Sequence, residues 1–156
     1  MNAKQLILAV PAALLMLGGT ADAGETIDEA GAIVCVNDKW DEQEVDKGHK
    51  LVDYAGRCVK VSNLAGGEKV LEACVGKYEY LPDESWKSSG SCTRVHPGGD
   101  TTLVTWEERS GLTAYPYKVT GGTGKYQDAS GGGTYFHEVL TDTLSAGTYN
   151  GKVVVP

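Results

Sequence analysis

From Lys50 to the C-terminus no stretch of eleven residues carries helical spacing. Short runs rich in Val, Thr and Tyr alternate instead with clusters of Gly, Pro, Asn and Asp, at intervals of about ten residues. The runs fall at 51–54, 57–62, 69–80, 86–95, 101–109, 112–120, 133–140 and 147–155. A chain punctuated in this way can bury its apolar surface only by pairing strands, so the expected fold is an all-β sandwich or barrel. Alternation assigns faces, because successive side chains on a strand point to opposite sides. Tyr78 and Tyr80 share one face, as do Val104 and Trp106, then Tyr115, Tyr117 and Val119, and then Tyr135, His137 and Val139. Core packing is the ordinary use of such stripes, with tyrosine hydroxyls reaching water or backbone at the barrel ends. A lined ligand cavity is the sharper one, with Trp106, Tyr115, Tyr117 and Tyr135 as its candidate walls.

The first 23 residues read differently. Lys4, an apolar stretch from Leu6 to Leu17 and Ala21-Asp22-Ala23 match a secretory signal peptide cleaved after Ala23. The expected location is therefore secreted or periplasmic. Residues 24–50 are expected to form a flexible lead-in holding one short strand, Ile33–Val36, and an acidic loop, with the barrel domain at 51–156. Asp38, Asp41 and Glu44 in that loop lack the spacing of a calcium loop, and solvation is their default role. The formal net charge of −7 argues against nucleic acid as a partner. After residue 23 no apolar run approaches the ~18 residues that a membrane-spanning helix needs, so no integral membrane segment is expected.

Cys35, Cys58, Cys74 and Cys92 are even in number and follow the leader, which points to two disulfides. Their spacings of 23, 16 and 18 offer no close pair for a metal, and none is expected. A three-residue turn at Pro82–Glu84 would set Cys74 opposite Cys92, whereas a similar turn at Ala65–Gly67 would set Cys58 opposite Cys74. Both cannot be bonds. Cys74–Cys92 with Cys35–Cys58 is preferred, because it ties the N-terminal segment to the body.

Glycines concentrate between 121 and 133, in Thr120-Gly121-Gly122-Thr123-Gly124-Lys125-Tyr126-Gln127-Asp128-Ala129-Ser130-Gly131-Gly132-Gly133-Thr134-Tyr135. A phosphate cradle needs a helix directly after the glycines, and a strand pattern follows here, so no nucleotide cofactor is expected. Turns and barrel corners explain the glycines better. This sixteen-residue segment resembles the glycine-rich stretch of allene oxide cyclase-like and dirigent-like β-barrels. The resemblance implies a small antiparallel eight-stranded calycin-like barrel, here with two disulfides. The shared motif shapes a strand pair, so it carries no catalytic residue onto this chain.

Few residues suggest catalysis. His49, His96 and His137 show no metal-ligand spacing. His137, if it pointed inward with Tyr135, could act as an acid or base near neutral pH, although Glu138 faces the other way. Glu107 and Arg109 share the face opposite Trp106. An ion pair is their ordinary role, and Glu107 as a buried general acid is the sharper alternative. Three functions follow as expectations. The first is an exported barrel holding a small apolar or aromatic molecule. The second is a cyclase or isomerase of the allene oxide cyclase-like type. The third is an envelope interaction or stress protein with a filled barrel.

Overall fold

The computed structural model describes residues 24–156 and shows a closed antiparallel barrel in which each strand pairs with its sequence neighbours and the first pairs with the last. The strands are β1 (Glu25–Asp46), β2 (His49–Ser62), β3 (Lys69–Tyr80), β4 (Trp86–Val95), β5 (Thr101–Arg109), β6 (Tyr115–Gly122), β7 (Ser130–Thr141) and β8 (Leu144–Val155). A single 3₁₀ turn, Gly124–Tyr126, lies between β6 and β7. Closure removes every open sheet edge. Among the described residues no helix is long and apolar enough to cross a membrane. The segment read as a signal peptide lies outside the described residues.

The expected lead-in is instead the longest strand. β1 runs for 22 residues, pairs with β2 along one side and with β8 along the other, and so closes the barrel. Its acidic half is not a free loop, because basic side chains on β2 face it. The Arg57 guanidinium donates two hydrogen bonds to Asp38, at 2.8 and 2.7 Å, and Lys50 donates to Glu42 at 2.5 Å. Alternation was absent there because the strand projects beyond the core, with most side chains from Asp38 onward exposed. The runs at 51–54 and 57–62 form one strand, β2, through Ala55 and Gly56.

Both disulfides link directly opposed residues of neighbouring strands. Cys35 pairs with Cys58 across β1 and β2, and Cys74 pairs with Cys92 across β3 and β4. The turn at Pro82–Glu84 forms as its residues demand, with the Leu81 amide donating to the Ser85 carbonyl at 2.8 Å. The β2–β3 connection is longer than Ala65–Gly67. It shifts the register so that Cys58 faces Glu72 and Cys74 faces Gly56, and the competing bond cannot form.

All four cysteines point into the lumen, and this parity sets the rest. Lys60 is two residues from Cys58, Glu72 two from Cys74 and Arg94 two from Cys92, so all three charged side chains are buried inside. Their apolar neighbours are left on the outer surface. Val34, Val59, Leu71 and Val95 form a register-aligned row across β1–β4 and are all exposed.

Glycines make room inside. Gly76 and Gly90 are paired across β3 and β4, and Gly90 is also opposite Trp106 on β5. A Cβ on either glycine would lie 2.5 Å from Trp106 Cζ2. The indole therefore lies flat over a patch of bare backbone. Gly90→Ala should displace Trp106 and lower stability by about 1–3 kcal/mol. A reduced urea midpoint with both disulfides intact, and altered tryptophan emission, would show it; an unchanged midpoint would refute this packing account.

Candidate functional site: a two-ended lumen

One end of the barrel is stoppered. The 3₁₀ turn swings Tyr126 inward, where its ring stacks on His96 at a centroid distance of 4.2 Å. His96 faces Thr102 at 3.1 Å and Glu68 at 3.0 Å through its two ring nitrogens. Asp100 anchors the turn by accepting from the Lys125 amide at 3.2 Å. The opposite end holds the β1–β2, β3–β4, β5–β6 and β7–β8 connections and is ringed by Trp40, Tyr80, Trp86, Tyr115 and His137. Between the ends lies a cavity of about 650 Å³, lined by these aromatics, by both disulfides and by the charged groups deeper in. The lumen is not filled by side chains.

In the outer half of the cavity the rings touch one another. Tyr54 meets Trp106 edge-on at 6.2 Å, Tyr78 meets Trp40 at 4.9 Å, and Tyr115 meets Tyr135 at 5.6 Å. Their spacing is that of favourable aromatic pairs. Two of the hydroxyls turn to a buried carboxylate rather than to water or backbone at the barrel ends. Tyr78 and Tyr135 donate to Glu108, at 3.2 and 2.6 Å, and Ser88 donates to the same carboxylate at 3.0 Å. His137 Nε2 lies 3.4 Å from Glu108 Oε1. Glu108 is thus a carboxylate buried among aromatic rings and stabilised by three hydroxyl donors. Burial first, and then the charge of Glu108, raise Tyr78 and Tyr135 far above the ordinary phenol value. The same two causes lift Tyr54 to about 12. All three remain protonated at any physiological pH.

The inner half carries the charges. Arg94 donates through Nε to Glu72 and through one terminal nitrogen to Glu29 at 3.2 Å. Tyr117 donates to Glu29 at 2.8 Å. Burial works against ionisation of Glu29, but Arg94, Lys60 and the Tyr117 hydrogen bond outweigh it and hold the carboxyl below its usual range. Lys60 has the opposite balance. Burial and the neighbouring Arg94 charge pull its ammonium down to about 8, against the pull of Glu72 and Glu29.

Trp106, Tyr115, Tyr117 and Tyr135 all line the cavity, although Tyr117 belongs to the charged inner layer rather than to the aromatic half. His137 faces the lumen and keeps 23% of its side chain exposed. Glu107 requires correction as a lumen acid. It is exposed on the outer face, because adjacent strand residues alternate, and Trp106 and Glu108 take the inner positions. Two-residue spacing from Trp106 was the signal that pointed to Glu108. Glu29, Lys60, Glu72 and Arg94 offered no comparable signal, since charged side chains are normally assigned to solvent. Among the described residues one grouping has metal-ligand proximity, Cys58, Glu72 and Cys74, and both of its sulfurs are held in disulfides.

No family model and no curated protein sequence matches the chain. Solved structures do. The pterocarpan synthase dirigent protein GePTS1 superposes with a TM-score of 0.58 at 11% identity, covering 97% of this chain and 99% of that one. The pterocarpan synthase dirigent protein PsPTS1 superposes with a TM-score of 0.53 at 11% identity, covering 84% of this chain and 96% of that one. The chain has a dirigent-like barrel fold. Identity this low extends the likeness to the fold alone.

Two outcomes follow from the site's electrostatics. Glu108→Gln keeps an acceptor facing the Tyr78, Tyr135 and Ser88 hydroxyls and should lower the urea midpoint only slightly. Glu108→Leu should cost more stability, at least about 2 kcal/mol, because it leaves buried hydroxyls unmatched. Equal stability of the two variants would contradict the hydrogen-bonding assignment. For Lys60, the folded state binds its proton less tightly than the unfolded chain does. Its penalty is fully present below about pH 8 and is relieved as pH rises toward 10.5. Lys60→Met should flatten that rise in urea-unfolding profiles, and an unchanged profile would reject the assignment.

Proposed function

We propose that this protein is an exported binding barrel that holds one small, mainly aromatic molecule in its lumen. The observation that carries the reading is the 650 Å³ cavity, open at one end and walled by Trp and Tyr rings. Its size lies within the range of small-molecule sites, and its few polar groups are held in fixed positions. The cavity also speaks against a filled barrel acting only as an envelope interaction protein. Export is supported by the leader-like first 23 residues and by two disulfides, which persist in oxidising compartments. Both support a secreted or periplasmic location.

One observation favours a second reading, a cyclase or isomerase of the allene oxide cyclase-like type. Glu108 and His137 stand side by side on the lumen wall, one buried and one partly open to the mouth. In that reading the aromatic walls hold a reactive substrate in one shape while this pair handles a proton. Glu108→Gln would then reduce turnover more than binding.

Native mass spectrometry of the protein, purified gently from its host's culture medium or periplasm, tests the binding reading. The expected spectrum shows a chain starting at Gly24, with a mass deficit of four hydrogens for two disulfides, and an added mass of a few hundred daltons that is lost on denaturation. If the native protein carries no added mass and takes up no aromatic probe, the binding reading is wrong.

A further inference from the structure

The inner wall of the cavity contains a polar atom whose hydrogen-bonding capacity is unused. Lys60 Nζ is buried, with 3% of its side chain exposed, and makes no hydrogen bond. Its nearest anions are out of reach, Glu72 at 3.8 Å and Glu29 at 3.9 Å. Both carboxylates are already engaged by Arg94, and Glu29 also by Tyr117. The ammonium instead lies over the Tyr149 ring, 3.8 Å from its centroid. A buried donor without an acceptor is costly, and native proteins seldom keep one without a use. Lys60 also lines the cavity.

The chemistry of the missing partner follows. An ammonium offers only donors, so its partner supplies an acceptor. The formal charges of Lys60 and Arg94 cancel those of Glu29 and Glu72. A third anion among them would therefore lack a counter-charge, whereas a neutral oxygen needs none. A carbonyl oxygen accepts without bringing a proton that must be placed in turn. We propose that Lys60 is the polar anchor of the lumen site, donating to the carbonyl oxygen of an uncharged aromatic ligand whose rings lie against the aromatic half. This deepens the binding reading above and rests on it.

The groups facing Lys60 come from five strands: Glu29 on β1, Glu72 on β3, Arg94 on β4, Tyr117 on β6 and Tyr149 on β8. None supplies a hydrogen-bond acceptor within reach, so binding breaks no hydrogen bond; the ammonium, itself fully covered, turns from the Tyr149 ring toward the cavity to meet the ligand.

Three rigid probes of one shape separate the possibilities: fluorene, 9-fluorenone and fluorene-9-carboxylate. Their affinities are measured with the mature, disulfide-bonded protein by quenching of tryptophan emission. The ketone should bind at least about tenfold more tightly than the hydrocarbon, as expected for one hydrogen bond from a charged donor. The carboxylate should bind more weakly than the ketone. Lys60→Met should bring the ketone down to the affinity of the hydrocarbon and leave the hydrocarbon's own affinity nearly unchanged. If wild-type protein binds ketone and hydrocarbon equally, the anchor is refuted while the binding reading survives. The wild-type comparison decides this even if the variant fails to fold. A carboxylate that binds best refutes the neutral ligand, and a preference that persists in Lys60→Met refutes the residue. If no probe binds, the binding reading itself fails for flat aromatics and the anchor falls with it.

Discussion

Closing eight strands into one sheet sends every second residue of each strand into a shared interior, and in this chain that interior receives Glu29, Lys60, Glu72, Arg94 and Glu108. Five ionisable side chains removed from bulk solvent would oppose folding if left alone, since each carries a desolvation cost of several kcal/mol. The architecture resolves this by pairing. Arg94 bridges Glu72 and Glu29, Tyr117 supports Glu29, and three hydroxyls hold Glu108. Lys60 is the exception, compensated in charge but not in hydrogen bonds. Core stability therefore depends on polar geometry as much as on apolar contact, and removing one partner exposes another group to the full penalty.

The same arrangement shapes the cavity. The disulfides brace neighbouring strands from inside, and Cys74–Cys92 stands next to the paired Gly76 and Gly90 that receive Trp106. The Tyr78 and Tyr135 hydroxyls are tethered to the Glu108 carboxylate, and the paired rings line the cavity without filling it. A site of this kind is pre-organised: its donors are already aimed, so a bound molecule does not have to order them. The aromatic outer half and the charged inner half give the lumen a direction, and a molecule with one polar end matches it.

Much of this architecture could be read along the chain. Strand-length runs, the Pro82–Glu84 turn and the parity of Trp106, Tyr115, Tyr117 and Tyr135 all depend on local rules, and the structure keeps them. Local rules fall short where a remote partner decides. The acidic residues of β1 carry no strand alternation, and it is Arg57 and Lys50 across the ladder that hold them in a strand. Glu108 rather than Glu107 is the buried acid, and this follows locally, because the alternation that turns Trp106 inward turns Glu108 inward with it.

The local sequence determined that this chain forms paired strands with glycine corners, because backbone preference and two-residue periodicity act over a few residues. Which face of each strand became the interior was a tertiary decision. In Arg57-Cys58-Val59-Lys60-Val61, hydrophobicity alone would bury the valines and expose the lysine. The cross-strand disulfides and ring closure turn Cys58 and Lys60 inward together, and Val59 is left outside. A shift of one residue exchanges the two faces entirely, and only contacts between distant strands choose between them.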